Sequence, residues 1–546
     1  MYDLTGEVLA RHWSRRRLIA SGGAAAAAAA LSVGAGLALS RSGSSEQEGT
    51  GDQEQGPVAA EAALNANQNG ERGISDPWKR ASHLLRRAGF GGTRAEIELY
   101  AALSPEEAAD RLLSFDSVDN AALEERLRRE GLTRDQLVRA GPRNVMHQQF
   151  ERWWLNRMAF TARPLEERMT LIWHGLLTSQ VTTLGSLAPL LLKQNELYRS
   201  LAVARYDDLL LATSKDPAMM YYLDTVRSSA AHPNENFARE LLELFSMGEG
   251  SYTEEDVREA ARAFTGWRVT PLPRPNVPEG ATQRERQQAL QEAVASWNPE
   301  WMLAPRLHDD GMKVFLGRRG NFGGEDIVAI VMEQEATARY ITTRLFREFV
   351  YDDPAPESID RLVDVWNRSG HSIREVVRAI LAGDEFWSER AYRAKVRSPV
   401  ELVVAAVRGL ELGALPGGAV QAGRRRTSDS LTMLLDQMGQ RLFEPPNVGG
   451  WPGGPAWLSS AALFARFNVA AEVTFPGGRP AAIPVLEAMG DAEAMVDEAL
   501  LRLVDGDVPR ESRDELVTHA SAISDVRERA ATVAYLVLCS PQFQLA

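Results

Sequence analysis

The stretch that decides the fold of this chain is His232–Trp267, which reads HPNENFARELLELFSMGEGSYTEEDVREAARAFTGW. A first helix is predicted to begin near Pro233, because proline is favoured in a first turn, and to end at Gly248, because glycine readily closes helices. Thr253, with Asp256 three residues later, resembles a capping box and predicts the start of a second helix. The stretch therefore encodes two helices joined by a glycine-marked corner.

The first predicted helix is amphipathic when its residues are placed on a 3.6-residue period. Its apolar side consists of Phe237, Ala238, Leu241, Leu244 and Phe245. Its polar side consists of Glu235, Asn236, Arg239, Glu240 and Glu243. We expect the apolar side to pack into the core, which leaves the role of the polar side to be decided.

Two interpretations of that polar side remain open. Glu235, Arg239 and Glu243 are spaced four residues apart, so they can form an ion-pair ladder of about 0.2–0.5 kcal/mol per pair. Alternatively, Glu240 and Glu243 line a cleft, where an apolar wall or a second carboxylate raises the pKa of one of them and permits acid/base catalysis.

The run N-E-N-x-A-R-E-L-x-E-L, followed by T-G-W, resembles the core signature of the bacterial family catalogued as domain of unknown function 1800. Further blocks resemble that family in the same order, and they are His83–Gly91, His308–Gly317, Gly439–Gly454 and Ser540–Gln544. Together these blocks cover most of the chain after residue 75. The family has no established activity, so the resemblance implies no reaction, substrate or catalytic residue. Family members are often encoded beside a second exported, sulfatase-like family, which implies such a protein as a partner.

Composition excludes several classes of function. The chain has 546 residues, 44% of them hydrophobic, which is enough for a large core. Its net charge of −13 argues against a broad phosphate-binding surface, so nucleic acid is not expected as a partner. Cys539 is the single cysteine, which excludes an intramolecular disulfide, a cysteine-ligated zinc site and a four-cysteine iron–sulfur cluster.

The N-terminal segment Met1–Leu39 is predicted to be a twin-arginine signal. Ser14–Ile19 carries the arginine motif, and the Ala/Gly-rich run Ala20–Leu39 is too weakly hydrophobic for a stable membrane span. We therefore expect the twin-arginine translocase to export the folded protein to the periplasm or cell envelope, with membrane contact only through this segment. Export after folding permits a cofactor loaded beforehand, although the sequence names none. Residues 40–74 are predicted to be a flexible linker.

Residues 75–546 are predicted to form an all-α globular domain with long loops and little or no β-structure. Convincing alternating strands are absent, and helix starts with a capping pattern recur along the chain. The residue pairs that form this pattern are Thr93 with Glu96, Ser104 with Glu107, Thr133 with Gln136, Ser372 with Glu375, and Ser398 with Glu401. A Gly/Pro-rich break at Phe475–Pro484 is consistent with a C-terminal subdomain from about residue 475.

His174 lies in the middle of a predicted helix, Leu165–Ser179. The corresponding family stretch commonly has two histidines two residues apart, whereas this chain has Leu176 at the second position. A paired-histidine metal site is therefore not supported there, and the chain has no H-E-x-x-H helix. We assign no metal site and expect His174 to be a core or cleft-wall residue.

The block Leu307–Gly324 is the most loop-like of the family blocks. His308 and Asp309 are candidates for an oriented acid/base pair, and the glycines that follow would let the backbone approach a ligand. The same glycines are also typical of ordinary turns. If this loop faces the Glu240 helix, the two would form a cleft.

The segment Gly439–Trp457 is too rich in proline and glycine to be helical. Its side chains Asn447, Trp451 and Trp457 could form a stacking platform for sugar rings or a peptide, or they could anchor the loop on the helical core. With Asn236, Arg239 and Trp267 they make up the candidate substrate-binding residues.

No G-x-S-x-G elbow, P-loop or Rossmann fingerprint is present, which argues against nucleotide chemistry. The leading hypothesis is a hydrolase or transferase that acts on an envelope or extracellular polymer. Glu240 or Glu243 would be its acid/base, with His174, His308 and Asp309 nearby. The alternatives are a non-catalytic partner or scaffold of the sulfatase-like protein, and a protein that binds a polymer without turnover.

Overall fold

The computed structural model of the protein describes residues 73–138, 143–417 and 430–546. The predicted signal segment, nearly all of the predicted linker, and most of the Gly- and Arg-rich loop after Leu415 lie outside these ranges. None of the helices in the described ranges combines the length and apolar character that crossing a membrane requires.

Helices dominate the described chain, which confirms the all-α prediction. The helices before the first strand are α1 (Pro77–Arg87), α2 (Arg94–Ala101), α3 (Pro105–Leu113), α4 (Ala121–Arg129), α5 (Arg134–Val138), α6 (Arg143–Phe160), α7 (Pro164–Leu176), α8 (Val181–Leu184), α9 (Leu190–Ser200), α10 (Tyr206–Ser214), α11 (Pro217–Tyr222), α12 (Asn236–Glu243) and α13 (Glu254–Ala263). The later helices are α14 (Gln283–Ser296), α15 (Gly324–Met332), α16 (Glu335–Phe349), α17 (Pro356–Arg368), α18 (Ile373–Leu381), α19 (Pro399–Gly409), α20 (Ser430–Gln437), α21 (Ser460–Thr474), α22 (Pro484–Glu487), α23 (Ala492–Val504), α24 (Arg510–Ser521) and α25 (Val526–Leu538).

Apart from isolated β-bridges, the β-structure of the described residues consists of two short antiparallel pairs of strands between α13 and α15. Strand β1 (Trp267–Val269) pairs with β2 (Trp301–Leu303), and β3 (Lys313–Phe315) pairs with β4 (Arg318–Gly320). Proline and glycine interrupt helix formation in this part of the chain, so short extended segments pair with each other instead.

Helix starts follow the capping chemistry read from the sequence. Reciprocal capping boxes are present at Thr93, Ser104, Thr253 and Ser398, and the Ser372 side chain accepts a hydrogen bond from the backbone N–H of Glu375. Each cap contributes about 1 kcal/mol to helix stability. These local interactions explain why the helix starts were predictable.

Helix α12 is shorter at both ends than the sequence predicts. The regular helix ends at Glu243, and beyond it the N–H groups of Phe245 and Met247 donate to carbonyls five residues back, at 2.9 and 2.8 Å. Its apolar side is buried as predicted, with Phe237 and Phe245 at 2% and 0% exposure. The Phe237 ring packs edge-on against Phe264, at the end of α13, with ring centroids 4.9 Å apart. This contact fixes the position of the polar side of α12.

A contiguous cluster of buried apolar side chains runs from Ala81 in α1 to Phe543 near the C-terminus. The helices after residue 475 take part in it. The indole N–H of Trp78 donates to the Leu501 carbonyl at 3.3 Å, which joins α1 to α23. The two ends of the described chain are thus packed together.

Candidate functional site

The polar side of α12 presents two carboxylates, Glu240 and Glu243, which we call the acidic face. Both side chains are half-buried. The neighbouring Arg239 turns away from them, because its guanidinium donates to both oxygens of Glu254 at 2.7 and 2.8 Å and to Glu235 at 3.2 Å. Burial raises the pKa of Glu240, the charge of Glu243 adds to that rise, and Arg239 opposes it.

Tyrosine side chains surround the acidic face. The Tyr252 hydroxyl donates to Glu243 Oε2 at 3.1 Å, and burial, with Glu243 contributing, raises the pKa of Tyr252 to about 12. Burial also raises the pKa of Tyr222 to about 12; a hydrogen bond with Thr178 opposes this rise, and the charges of Glu240 and Glu444 add to it. These hydroxyls therefore stay protonated near neutral pH and can donate hydrogen bonds.

Glu444 belongs to the segment Gly439–Trp457, which we call the tryptophan loop. Its Oε2 accepts the backbone N–H of Thr182 at 3.0 Å, at the start of α8. Further along the loop, Gly450 has a φ of +82°, and any Cβ there would overlap the carbonyl oxygen of Gly175 in α7. The loop is therefore held against the end of α7, and this packing places a third carboxylate beside Tyr222.

His174 lies behind the tryptophan loop and is only 1% exposed. Its ring contacts those of Trp154, Phe443 and Trp451, with centroid separations of 5.3, 5.4 and 5.7 Å. Burial lowers the pKa of His174 to about 3, so the ring is neutral at physiological pH. Its Nε2 is buried and has no hydrogen-bond partner among the described residues. His174 thus forms the interior wall behind the loop.

The other candidates of the tryptophan loop differ in exposure. Trp451 and Trp457 are half-buried, and the indole nitrogen of each is buried without a described hydrogen-bond partner. Asn447 is exposed, and its side-chain oxygen accepts the backbone N–H of Gly449 at 2.9 Å. The loop therefore combines partly exposed aromatic side chains with a polar surface.

His308 and Asp309 make their contacts with α13 and the turn that follows it. His308 Nδ1 lies 2.8 Å from the Thr265 carbonyl oxygen, which assigns the ring proton to Nδ1 in the neutral form. Arg262 binds both oxygens of Asp309 at 2.8 and 3.2 Å, and this pairing holds the pKa of Asp309 below its usual value. Trp267, 2% exposed, packs in the core beside this turn.

The structure thus brings some of the candidate residues together and leaves others apart. Glu240 and Glu243 share one face, with Asn236 and Arg239 on the same helix, and the tryptophan loop contributes Glu444 beside Tyr222. Tyr222, Tyr252 and Glu444 were not identified from the sequence. They are isolated residues without a motif, so only the contact between distant segments reveals them.

Among the residues that the structure describes, no group of three or more histidine, cysteine, aspartate or glutamate side chains is arranged to hold a metal ion. The partly buried Cys539 lies near the Tyr535 hydroxyl, and desolvation raises the pKa of its thiol to about 12. The thiol is therefore protonated at physiological pH and unsuited to nucleophilic attack.

The fold and the site define a helical globular protein whose candidate site is a carboxylate and tyrosine surface beside a tryptophan loop. Over residues 83–545 the sequence matches a family model described as "Protein of unknown function (DUF1800)". The chain belongs to this family, which confirms the resemblance drawn from its motifs. Comparison with curated proteins and with solved structures gives no match.

Proposed function

We propose that the protein is exported and acts as a hydrolase or transferase on a sugar-containing polymer of the envelope or extracellular space. Glu240 would be the general acid/base. The observation that carries the proposal is that Glu240 is half-buried and carries a raised pKa, while the adjacent Arg239 is committed to Glu235 and Glu254. A carboxyl group whose pKa is raised holds its proton to higher pH than an ordinary glutamate, and this favours its use as the donor of a proton to a leaving oxygen.

The reaction needs two carboxyl groups in different protonation states. In the proposed step for hydrolysis, Glu240 gives its proton to the leaving oxygen as the bond to the sugar breaks. A water molecule attacks the sugar carbon and passes a proton to Glu444, which Thr182 holds in place. Tyr222 lies beside both carboxylates and donates a hydrogen bond to a substrate oxygen. In the transferase version, a sugar hydroxyl replaces the water.

Substrate binding is assigned to the tryptophan loop and to the exposed end of α12. The half-buried Trp451 and Trp457 offer ring surface for sugar stacking, and the exposed Asn447 and Asn236 offer amide groups for sugar hydroxyls. Export rests on the twin-arginine pattern at Ser14–Ile19, which would deliver the folded protein to a compartment rich in such polymers.

The test is the exchange Glu240→Gln, which keeps the size of the side chain and removes its proton transfer. Glu235→Gln is the matched control, because Glu235 lies next to the same helix, is 43% exposed, and pairs with Arg239. The readout is the release of new reducing ends from envelope and extracellular polysaccharide preparations.

Wild type and Glu235→Gln should release reducing ends, whereas Glu240→Gln should be slower by about 100-fold or more, since acid/base groups contribute at least that factor. Thermal unfolding of all three proteins establishes that they are folded. Equal rates for wild type and Glu240→Gln would remove Glu240 from the mechanism. A folded wild type without release from any preparation would instead favour the non-catalytic alternatives.

A further inference from the structure

Far from the acidic face in sequence, six guanidinium groups lie in the interior at the junction of the N- and C-terminal helices. We call them the basic core, and they are Arg86, Arg87, Arg168, Arg393, Arg397 and Arg466, each at most 9% exposed. The carboxylates that pair with these six arginines are the buried Glu401 and Asp505 and, at 3.7 Å, the exposed Glu348 and Asp507. A buried cation is unfavourable without a compensating partner, so this imbalance requires an explanation.

One half of the basic core is centred on Asp505. Its Oδ2 accepts from Arg86 at 2.6 Å, from Arg393 at 3.3 Å and from the Tyr392 hydroxyl at 2.8 Å. One carboxylate therefore serves two guanidiniums. Arg86 Nε and Nη2, Arg393 Nε and the other oxygen of the carboxylate, Asp505 Oδ1, remain buried without hydrogen-bond partners among the described residues.

The other half is centred on Glu401. This carboxylate pairs with Arg168, and its Oε2 also accepts the backbone N–H of Ser398 at 2.6 Å as part of the cap of α19. Arg168 Nε is buried and unpartnered in the described chain. Arg87, by contrast, donates its Nε to the Phe349 carbonyl at 2.9 Å, so part of the basic core is satisfied by backbone.

Arg397 lies between the two halves. It is 3% exposed, its guanidinium stacks 4.3 Å from the centroid of the Phe543 ring, and its Nη1 has no hydrogen-bond partner in the described ranges. The pKa of Arg397 is lowered to about 9, mainly by burial and also by the charges of Arg86 and Arg393, while the carboxylates of both halves oppose this lowering. Arg397 therefore carries a buried positive charge that no carboxylate of the described residues pairs directly.

From these contacts we infer that the basic core binds a small oxyanion, of the phosphate or sulfate type, between Arg397 and the unpartnered donors of Arg86, Arg168 and Arg393. A tetrahedral oxyanion offers several acceptor oxygens and the negative charge that two buried carboxylates do not supply, and guanidinium is the side chain best suited to it. Two of these arginines border the surface, because Arg168 Nη2 and Arg393 Nη1 lie 3.7 Å from the exposed carboxylates of Glu348 and Asp507. The inference is independent of the acid/base role of Glu240.

The first measurement is made on the full-length protein as purified. Ion chromatography after denaturation should detect a stoichiometric amount of phosphate or sulfate, and the two retention times distinguish these sources. The second measurement is thermal unfolding in phosphate, in sulfate and in chloride at matched ionic strength. One of the two oxyanions should raise the melting temperature in a saturable manner, because a ligand that binds only the native state stabilises it.

Arg397→Met should abolish that saturable rise. Arg408→Met is the matched control, since Arg408 is equally buried at 4% but is fully engaged by Glu96 and by backbone carbonyls. It should lower the melting temperature in every salt and keep the oxyanion-dependent rise. If Arg397→Met does not fold, Arg393→Met, at the rim, should weaken the rise. A wild type that releases no oxyanion and melts identically in all three salts overturns the inference, as does an unchanged rise in Arg397→Met.

Discussion

Glu240 lies on α12, whereas Asp309 lies in the segment before β3, beside the last turn of α13, and the two carboxylates have opposite environments. Arg262 binds Asp309 through both oxygens and holds its pKa low, whereas Arg239 turns away from Glu240 and burial raises the pKa of that group. Both carboxylates lie in sequence blocks that match the family, and both were candidates for acid/base chemistry. The difference shows that a carboxylate paired with the nearby arginine is structural, whereas a carboxylate whose neighbouring arginine pairs elsewhere is available for chemistry.

Helix α13 explains both choices. Arg239 pairs with Glu254 in the first turn of α13, where the helix dipole also favours negative charge. Arg262 lies in the last turn of α13, where it binds Asp309 and also Glu259, at 2.7 Å. The ion pairs at the two ends of α13 therefore explain why Asp309 is bound by an arginine and Glu240 is not.

The largest expected effect concerns His174, a third candidate for acid/base chemistry, whose environment differs from that of both carboxylates because burial alone lowers its pKa. Its folded pKa of about 3 lies far below the unfolded value of about 6.5, so the stability it contributes is complete above pH 6.5 and is lost as the pH falls towards 3. The loss should approach about 1.4 kcal/mol per pH unit. Urea unfolding of wild type and His174→Gln from pH 7 to pH 5 should show a shallower slope in the variant. Equal slopes would mean that His174 is protonated in the folded state.

The second-largest effect on stability is expected when Arg262, the partner of Asp309, is replaced. Arg262→Met leaves Asp309 and Glu259, at 19% and 12% exposure, without their shared cation. The loss of charge-assisted hydrogen bonds should lower the free energy of unfolding by about 1–2 kcal/mol, measured by urea titration. Arg258→Met, one turn earlier and paired only with the exposed Glu255, should leave the unfolding midpoint unchanged. An unchanged midpoint for Arg262→Met would remove the structural assignment of Asp309.

How much of the fold and of the candidate site could be predicted depends on how far apart the interacting residues lie in the sequence. The caps at Thr93, Ser104 and Thr253 and the buried side of α12 follow from residues a few positions apart, so the sequence contains them. For Arg239 the sequence offers Glu235 and Glu243 as equally spaced partners, and the structure adds Glu254, fifteen residues away. Contacts such as that of Glu444 with Thr182, separated by 262 residues, depend on the packed fold and have no local pattern.

Asp309→Asn tests whether the Asp309 carboxylate stabilises the folded protein. A folded pKa below the unfolded value of about 3.9 means that Asp309 contributes stability above that pH, which is lost as the pH falls through the folded pKa. The variant should therefore be less stable than wild type at pH 7, and the two proteins should converge in acid. Chemical unfolding at pH 7 and at several values from about pH 4 down to about pH 2 provides the measurement, because the loss occurs below the unfolded pKa. A difference that widens on acidification would contradict the pairing with Arg262.

Glu240→Gln is expected to have the smallest effect on stability, with the opposite sign. Its folded pKa lies above the unfolded value of about 4.3, so the favourable contribution of the protonated group is present below that value and is lost as the pH rises through the folded pKa. At pH 7 the variant should be as stable as wild type or slightly more stable, and this advantage should disappear in acid. Glu235→Gln, which removes a charge paired with Arg239, should show no such advantage. A marked destabilisation of Glu240→Gln at pH 7 would show that Glu240 supports the fold as Asp309 does, and the contrast between the two carboxylates would then no longer separate structure from chemistry.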